Sequence, residues 1–363
     1  MPKEALFLIP SDGIRGFTDF SRFYGAASLQ LQLKPAINAC KSLGMKPECF
    51  SLQHAHPEDL ELVKNPSICI VGKIKTTGED NVRAQAMAQL ALLARLKRKK
   101  VPIAIIYSDH VEEWYPSTRE LYKDFLHLSD HIIFPCTAIQ KKCLKWVPAI
   151  KSFSIIEDPW QVKQRPFNTK MGNEINALWF GHHTNLPFML NLLNDLKKYS
   201  LATKTHINLN LLTSQHGLNK YQKFINKFSN LDTFKINCII WNEHDQPFQL
   251  ERELEKATFS LIPSDPKNPH KSSASHNRLV DSVRAGCITI ASPLESYIEL
   301  SKVALIGPNL IELLHYANQQ KQRLAEKYNS NRSKYLKRFS PEFNKYCWEK
   351  CISRIVNQKP GEP

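Results

Sequence analysis

At 363 residues, 42% of them hydrophobic, the chain can bury more than one core, and at ~100–200 residues per domain two domains are expected. An excess of 49 Lys and Arg over 34 Asp and Glu, +15 in net charge, predicts attraction to a polyanion: nucleic acid, an anionic membrane surface or a phosphorylated ligand. No apolar run approaches the ~18 residues of a membrane span, which excludes an integral helical membrane protein, and nine scattered cysteines exclude a paired disulfide framework and favour a reducing compartment.

The chain runs from Met1 directly into a strand at 5–9, with no long apolar stretch or small-residue cleavage site, so no secretory signal is expected and the predicted location is the cytoplasm. Further strands are predicted at 48–52, 68–72, 102–107, 131–134 and 153–156, with a helix at 82–98 whose Val82, Ala86, Leu90, Leu93 and Ala94 share one face. Short apolar runs alternating with helical-period segments predict βαβ units and a doubly wound parallel sheet. Cys69 and Cys238 lie inside such runs and are read as buried free thiols. Neither Cys136 with Cys143 nor Cys347 with Cys351 has the CxxC spacing of a zinc site.

After Ile156 the texture turns polar, with Pro159, Pro166 and Gly172 as breakers, and a linker is expected at 159–175. The pattern restarts with strands at 177–180, 207–212, 236–241, 259–263, 287–291 and 303–306. Helices are expected at 186–199, 221–228, 249–257, 277–285 and 310–327. Residues 1–158 and 176–340 are therefore read as two domains, and 341–363 as a C-terminal helix and tail with Phe343, Tyr346, Cys347, Trp348, Cys351 and Ile352 on its apolar face. Two α/β halves imply a cleft, and open parallel sheets take ligands at the carboxyl ends of their strands.

The most informative stretch runs from Pro269 to Ala291. A polar loop with Lys271, Ser272 and Ser273 enters a helix near Ser275 or His276, the helix stops at Gly286, and a buried strand follows. Amides at such a helix start, with the helix dipole and Lys271, suit a diphosphate, although an ordinary N-capped helix has the same spacing. The string Asn277-Arg278-Leu279-Val280-Asp281-Ser282-Val283-Arg284-Ala285-Gly286, followed by a strand and Ser292-Pro293-Leu294-Glu295, resembles the donor-binding segment of the GT-B glycosyltransferases. Upstream, Leu178-Trp179-Phe180-Gly181, Ile239-Ile240-Trp241 and the run from Phe259 to Ser264 resemble strands of the same domain, in the same order.

The resemblance implies two Rossmann-like domains facing each other across a cleft, with the C-terminal helix packing back toward the N-terminal one. It also implies transfer of a sugar, of hexosyl type, from a nucleotide donor to a glycan, lipid-linked or small-molecule acceptor. No cofactor or metal is expected, the nucleotide sugar being a substrate. By position, His276, Asn277 and Arg278 stand at the diphosphate, with Lys271, Ser272 and Ser273 before them. Gly181 and His182 line the cleft, Trp241 and Asn242 lie near the base, and Asp281 stands at the donor ribose. Many retaining members carry two glutamates where this chain has Ser273 and Asp281, so the stereochemical outcome stays open, as does donor binding without catalysis.

In the first half Asp109 and His110 follow a buried strand, where either could accept a proton from an acceptor hydroxyl or simply cap the next segment. Gly13 and Arg15 lie in a loop after the first strand that resembles the flexible loop approaching the donor; a plain turn has the same glycines. His182 and His183 are adjacent, and adjacent residues rarely ligate one ion together. The basic run Arg95, Lys97, Arg98, Lys99 and Lys100, with Lys141, Lys142 and Lys145, fits a solvated helix end or a peripheral patch toward anionic lipid on the inner face of a membrane. Few aromatics accompany it, which argues against nucleic acid. A polyanion-binding structural protein is the remaining class.

Overall fold

The computed structural model describes residues 3–9, 16–20, 29–51, 65–72, 79–109, 116–169, 174–228, 232–242, 245, 248–269 and 271–357. The chain divides into two units, one of Met1–Pro159, Ser273–Ser275 and Ser340–Pro363, the other of Trp160–Ser272 and His276–Phe339.

The first unit contains β1 (Glu4–Ile9), β2 (Gly16–Thr18), a short π-helix (Leu29–Leu33), α1 (Lys34–Ser42), β3 (Lys46–Ser51), β4 (Ile68–Val71) and α2 (Glu79–Arg98). It continues with β5 (Ile103–Ile106), α3 (Pro116–Leu128), β6 (His131–Phe134), α4 (Thr137–Trp146) and β7 (Phe153–Ile155). The sheet order is β2-β3-β1-β4-β5-β6-β7. All neighbours are parallel except β2, whose Gly16 and Thr18 pair antiparallel with Ser51 and Cys49. Strands such as Ile103–Ile106 are buried throughout, as continuous apolar runs in a sheet covered on both faces must be.

One face of that sheet carries the C-terminal helix, which we call α12 (Pro341–Asn357). Its Trp348, Cys351, Ile352 and Ile355 pack with Phe7, Ile9 and Ile70 of the sheet and Ala36 and Cys40 of α1. Burying such side chains stabilises by about 1.5–3 kcal/mol each. The apolar face is rotated from the one expected: Phe343 and Tyr346 are exposed, and the polar Asn344 is buried, its Nδ2 donating to the Glu157 carbonyl at 2.6 Å.

The second unit contains β8 (Glu174–Phe180), α5 (Leu186–Thr203), β9 (His206–Thr213), α6 (Gln215–Ile225), β10 (Phe234–Ile240), α7 (Phe248–Lys256) and β11 (Phe259–Ile262). Then come α8 (Asn277–Arg284), β12 (Ile288–Ala291), α9 (Glu295–Ile298), β13 (Leu305–Ile306), α10 (Leu310–Gln319) and α11 (Lys321–Leu336). Its sheet is wholly parallel in the order β10-β9-β8-β11-β12-β13. The chain thus has the doubly wound α/β architecture expected in both halves. β10 is an edge strand, so Cys238 on it is exposed rather than buried. The single helix expected at 310–327 is broken at Gln320 into α10 and α11. Among the described residues no helix is long and apolar enough to cross a membrane.

Residues 160–169, within the linker expected at 159–175, form a strap laced along α8. The Arg284 guanidinium lies 3.5 Å over the Trp160 ring, and its Nε donates to the Val162 carbonyl at 2.9 Å. The backbone continues the lacing with Arg165 N–H to Arg284 C=O at 3.0 Å and Asn168 N–H to Gly286 C=O at 2.9 Å. Gly286 has φ +84°, and a Cβ there would stand 2.1 Å from the Pro166 carbonyl oxygen. Only glycine lets the strap lie this close while ending the helix.

Candidate functional site

In the second sheet the strand order reverses between β8 and β11, and in open parallel sheets this reversal is where ligands bind, at the carboxyl ends. Gly181, the residue after β8, sits there with φ +156°. Its N–H donates to the Leu212 carbonyl at 3.1 Å, and its own carbonyl accepts from buried Thr213 Oγ1 at 2.8 Å. Across the reversal, Ser264 follows β11 and its N–H donates to Ser292 Oγ at 2.9 Å, while the buried Ser264 Oγ has no hydrogen-bond partner among the described residues.

α8 brings Arg278 to this place. Its Nη1 and Cδ lie 3.4 and 3.6 Å from where a Cβ on Gly181 would be, so the guanidinium covers the bare glycine. Nη1 is shielded from water and has no hydrogen-bond partner among the described residues. Leaving a donor buried and unpaired costs about 1–3 kcal/mol, more for a charged one. The N-cap residue of α8, His276, has helical φ and ψ and gives no side-chain cap, so the positive end of the helix dipole stands beside the same arginine. Arg278 and Gly181 are thus the two predicted residues that the fold brings together directly.

Other predicted residues have different surroundings. His276 is buried: its ring packs 5.0 Å from the Phe339 ring, and its Nε2 lies 3.6 Å from Glu299 Oε2 and 3.5 Å from Arg338 Nη2. Arg338 donates to the same carboxylate oxygen at 2.6 Å. Burial lowers the His276 pKa, outweighing the hydrogen bond to Glu299, which raises it. Glu299 is held down to about 2, first by His276 and then by Arg338. Asp281, expected at a ribose, is buried with its carboxylate committed to the strap, accepting from Gln161 N–H at 2.8 Å and Gln161 Nε2 at 3.3 Å.

Lys271 and Ser272 belong to a turn in which both backbone N–H groups donate to the Asn268 carbonyl, at 3.0 and 2.8 Å. Ser273 falls in the first unit, where its carbonyl accepts from Cys136 Sγ at 3.7 Å. Trp241 packs on the cluster of Val162, Leu178, Phe180 and Leu212. Asn242 N–H donates to Gln249 Oε1 at 2.7 Å, and Gln249 Nε2 to the Ile240 carbonyl at 2.8 Å, so an amide unremarked in the sequence pins this loop.

His182 caps a short turn, accepting from Thr184 N–H at 3.4 Å, and its ring lies 4.0 Å from that of His183. His183 meets His216 at 5.0 Å and lies 3.3 Å from Ser214 Oγ, and burial, then the charges of His216 and Lys220, lower its pKa. Gly217 permits this, since a Cβ there would be 2.5 Å from His183 Cβ. In the first unit Asp109 is half-buried, three residues beyond β5. Gly13, Arg15 and His110 lie outside the described residues.

No protein-family model matches the sequence, and no curated protein matches it. Solved structures do match the fold. HepE of Anabaena, in complex with UDP-glucose, aligns with a TM-score of 0.66 at 11% identity over 97% of this chain and 99% of its own. A glycosyltransferase from Rickettsia africae gives 0.65 at 11% identity over 99% and 100%. A sucrose-phosphate synthase from Thermosynechococcus elongatus gives 0.63 at 11% identity over 97% and 99%. The chain has the fold of the GT-B glycosyltransferases.

Proposed function

We propose that this protein is a glycosyltransferase whose second unit binds a nucleoside diphosphate sugar at the reversal between β8 and β11. The observation that carries the reading is Arg278 Nη1 over Gly181, shielded and without a hydrogen-bond partner among the described residues, beside the start of α8. A diphosphate oxygen would complete this donor set, and charge-assisted hydrogen bonds to phosphate are the strong ones. HepE, of the same fold, is seen with UDP-glucose. The acceptor, a glycan, a lipid-linked sugar or a small molecule, falls to the first unit, and Asp109 is the group there proposed to take its proton.

The test is thermal stabilisation by UDP, ADP, GDP and CDP and their sugars. At a ligand concentration 100 times Kd the gain is about 2.7 kcal/mol, or roughly 5–10 °C for domains of this size. No shift with any of them would remove the reading.

A second reading, donor binding without transfer, is favoured by Ser273, which stands where many family members have a carboxylate and is buried in the first unit. Turnover of a bound nucleotide sugar, by hydrolysis or transfer, would eliminate it.

A further inference from the structure

α8 starts in an unusual way. The three residues before it, Ser273–Ser275, belong to the other unit, and its N-cap residue gives no side-chain cap hydrogen bond. Yet its first turn carries Arg278. At the start of the helix lies a buried cluster. His276 is only 2% exposed, its ring lies against Phe339, and its Nε2 faces the oxygen of Glu299 that also accepts from Arg338. Glu299 follows the short helix α9 and lies 23 positions after His276, while Arg338 and Phe339 end the segment after α11. Two separate pieces of chain thus converge on one imidazole at the base of α8.

A buried imidazole of this kind transmits position. The His276 carbonyl accepts from Val280 N–H at 3.0 Å, so displacing His276 displaces the first hydrogen bond of the helix and, two residues on, the arginine over Gly181.

We infer that Glu299 is a positioning residue for the anion site: through His276 and Arg338 it fixes the first turn of α8 so that Arg278 is held over Gly181. The inference rests on the diphosphate reading above and assigns that site a support which no sequence motif marks. Misplacement of a binding group by about 1 Å can cost on the order of 100-fold in function, so loss of this support is expected to weaken nucleotide binding roughly 10-fold, with Arg278 itself unchanged.

The experiment compares the full-length wild type with Glu299→Gln, an isosteric change that removes the charge. It measures the Kd of whichever of UDP, ADP, GDP and CDP the wild type binds, by titration calorimetry, together with amide hydrogen exchange at 277–280 in the ligand-free protein. The expected result is weaker binding with faster exchange confined to that turn, a local readout that general destabilisation does not produce. Arg338→Gln, at a half-exposed position, is expected to move both quantities in the same direction and serves if Glu299→Gln does not fold. Wild-type affinity and unchanged exchange in the folded variants overturn the positioning role while leaving the anion site standing. If the wild type itself binds none of the four nucleotides, the anion site falls and the positioning role with it.

Discussion

Replacing Arg278 by methionine separates a structural arginine from one kept for a ligand. Methionine retains most of the length and apolar stem of arginine while removing every donor. In the free protein the change relieves a shielded Nη1 that has no partner among the described residues, a cost of about 1–3 kcal/mol. Part of that gain is offset by the lost packing of the guanidinium over Gly181, so the melting temperature is expected to stay level or rise by a few degrees, at ~2–4 °C per kcal/mol. In the nucleotide complex the same change removes a charge-assisted hydrogen bond worth about 1.5–3 kcal/mol, which weakens binding roughly 10- to 150-fold. The two effects have opposite signs. Differential scanning fluorimetry of the free protein and calorimetric titration with the nucleotide that the wild type binds measure them separately. If Arg278→Met lowers the free protein's melting temperature and leaves the Kd unchanged, the arginine is a packing element and the site assignment is wrong.

Two further outcomes concern the scaffold. His131 is 1% exposed, its Nε2 lying 3.1 Å from Arg354 Nη2 and its Nδ1 2.7 Å from Ser152 Oγ, and burial, with the Arg354 charge, pushes its pKa down to about 4 from 6.5. Because the unfolded chain takes up this proton first, the stabilisation is complete above about pH 6.5 and is lost as pH falls toward 4, amounting to about 3 kcal/mol in all. Urea unfolding at pH 7 and pH 4.5 should show the first unit losing more stability than in a His131→Gln variant, and equal losses would contradict the buried neutral imidazole. Gly286→Ala places a methyl group 2.1 Å from the Pro166 carbonyl at φ +84°, and backbone on both sides leaves no flexible side chain to yield. A destabilisation of about 2–4 kcal/mol is expected, with the strap at 160–169 becoming sensitive to protease before the rest of the unit. Wild-type melting with an unaltered cleavage pattern would show that the strap is not held where described.

The strands were legible because each is a short apolar run between polar turns, and twelve such runs account for the parallel strands among the described residues; the antiparallel β2, three residues beginning with Gly16, has no such run. The C-terminal helix was legible from its period, but the orientation of its buried face was not: Phe343 and Tyr346 look apolar in sequence, and only the packing of Trp348 and Ile355 on α1 and the sheet turns them outward. The stretch from Asn277 to Gly286 stood out by composition, and Arg278 and Gly181 were within reach because one lies in the first turn of a helix and the other directly after a strand that pattern alone identifies.

The surroundings of other predicted residues were set by distant partners. Asp281 receives Gln161 from 120 positions earlier, and His276 meets Arg338 62 positions later. Neither pairing leaves a mark on local spacing. Periodicity reports which face of an element is buried, and this chain's own sequence determined that much: two parallel α/β sheets and a polar turn before a helix. Which polar groups meet inside depends on how loops at the strand ends are folded over one another, and for a buried charge or imidazole the cost of remaining unpaired makes that choice a property of the tertiary structure alone.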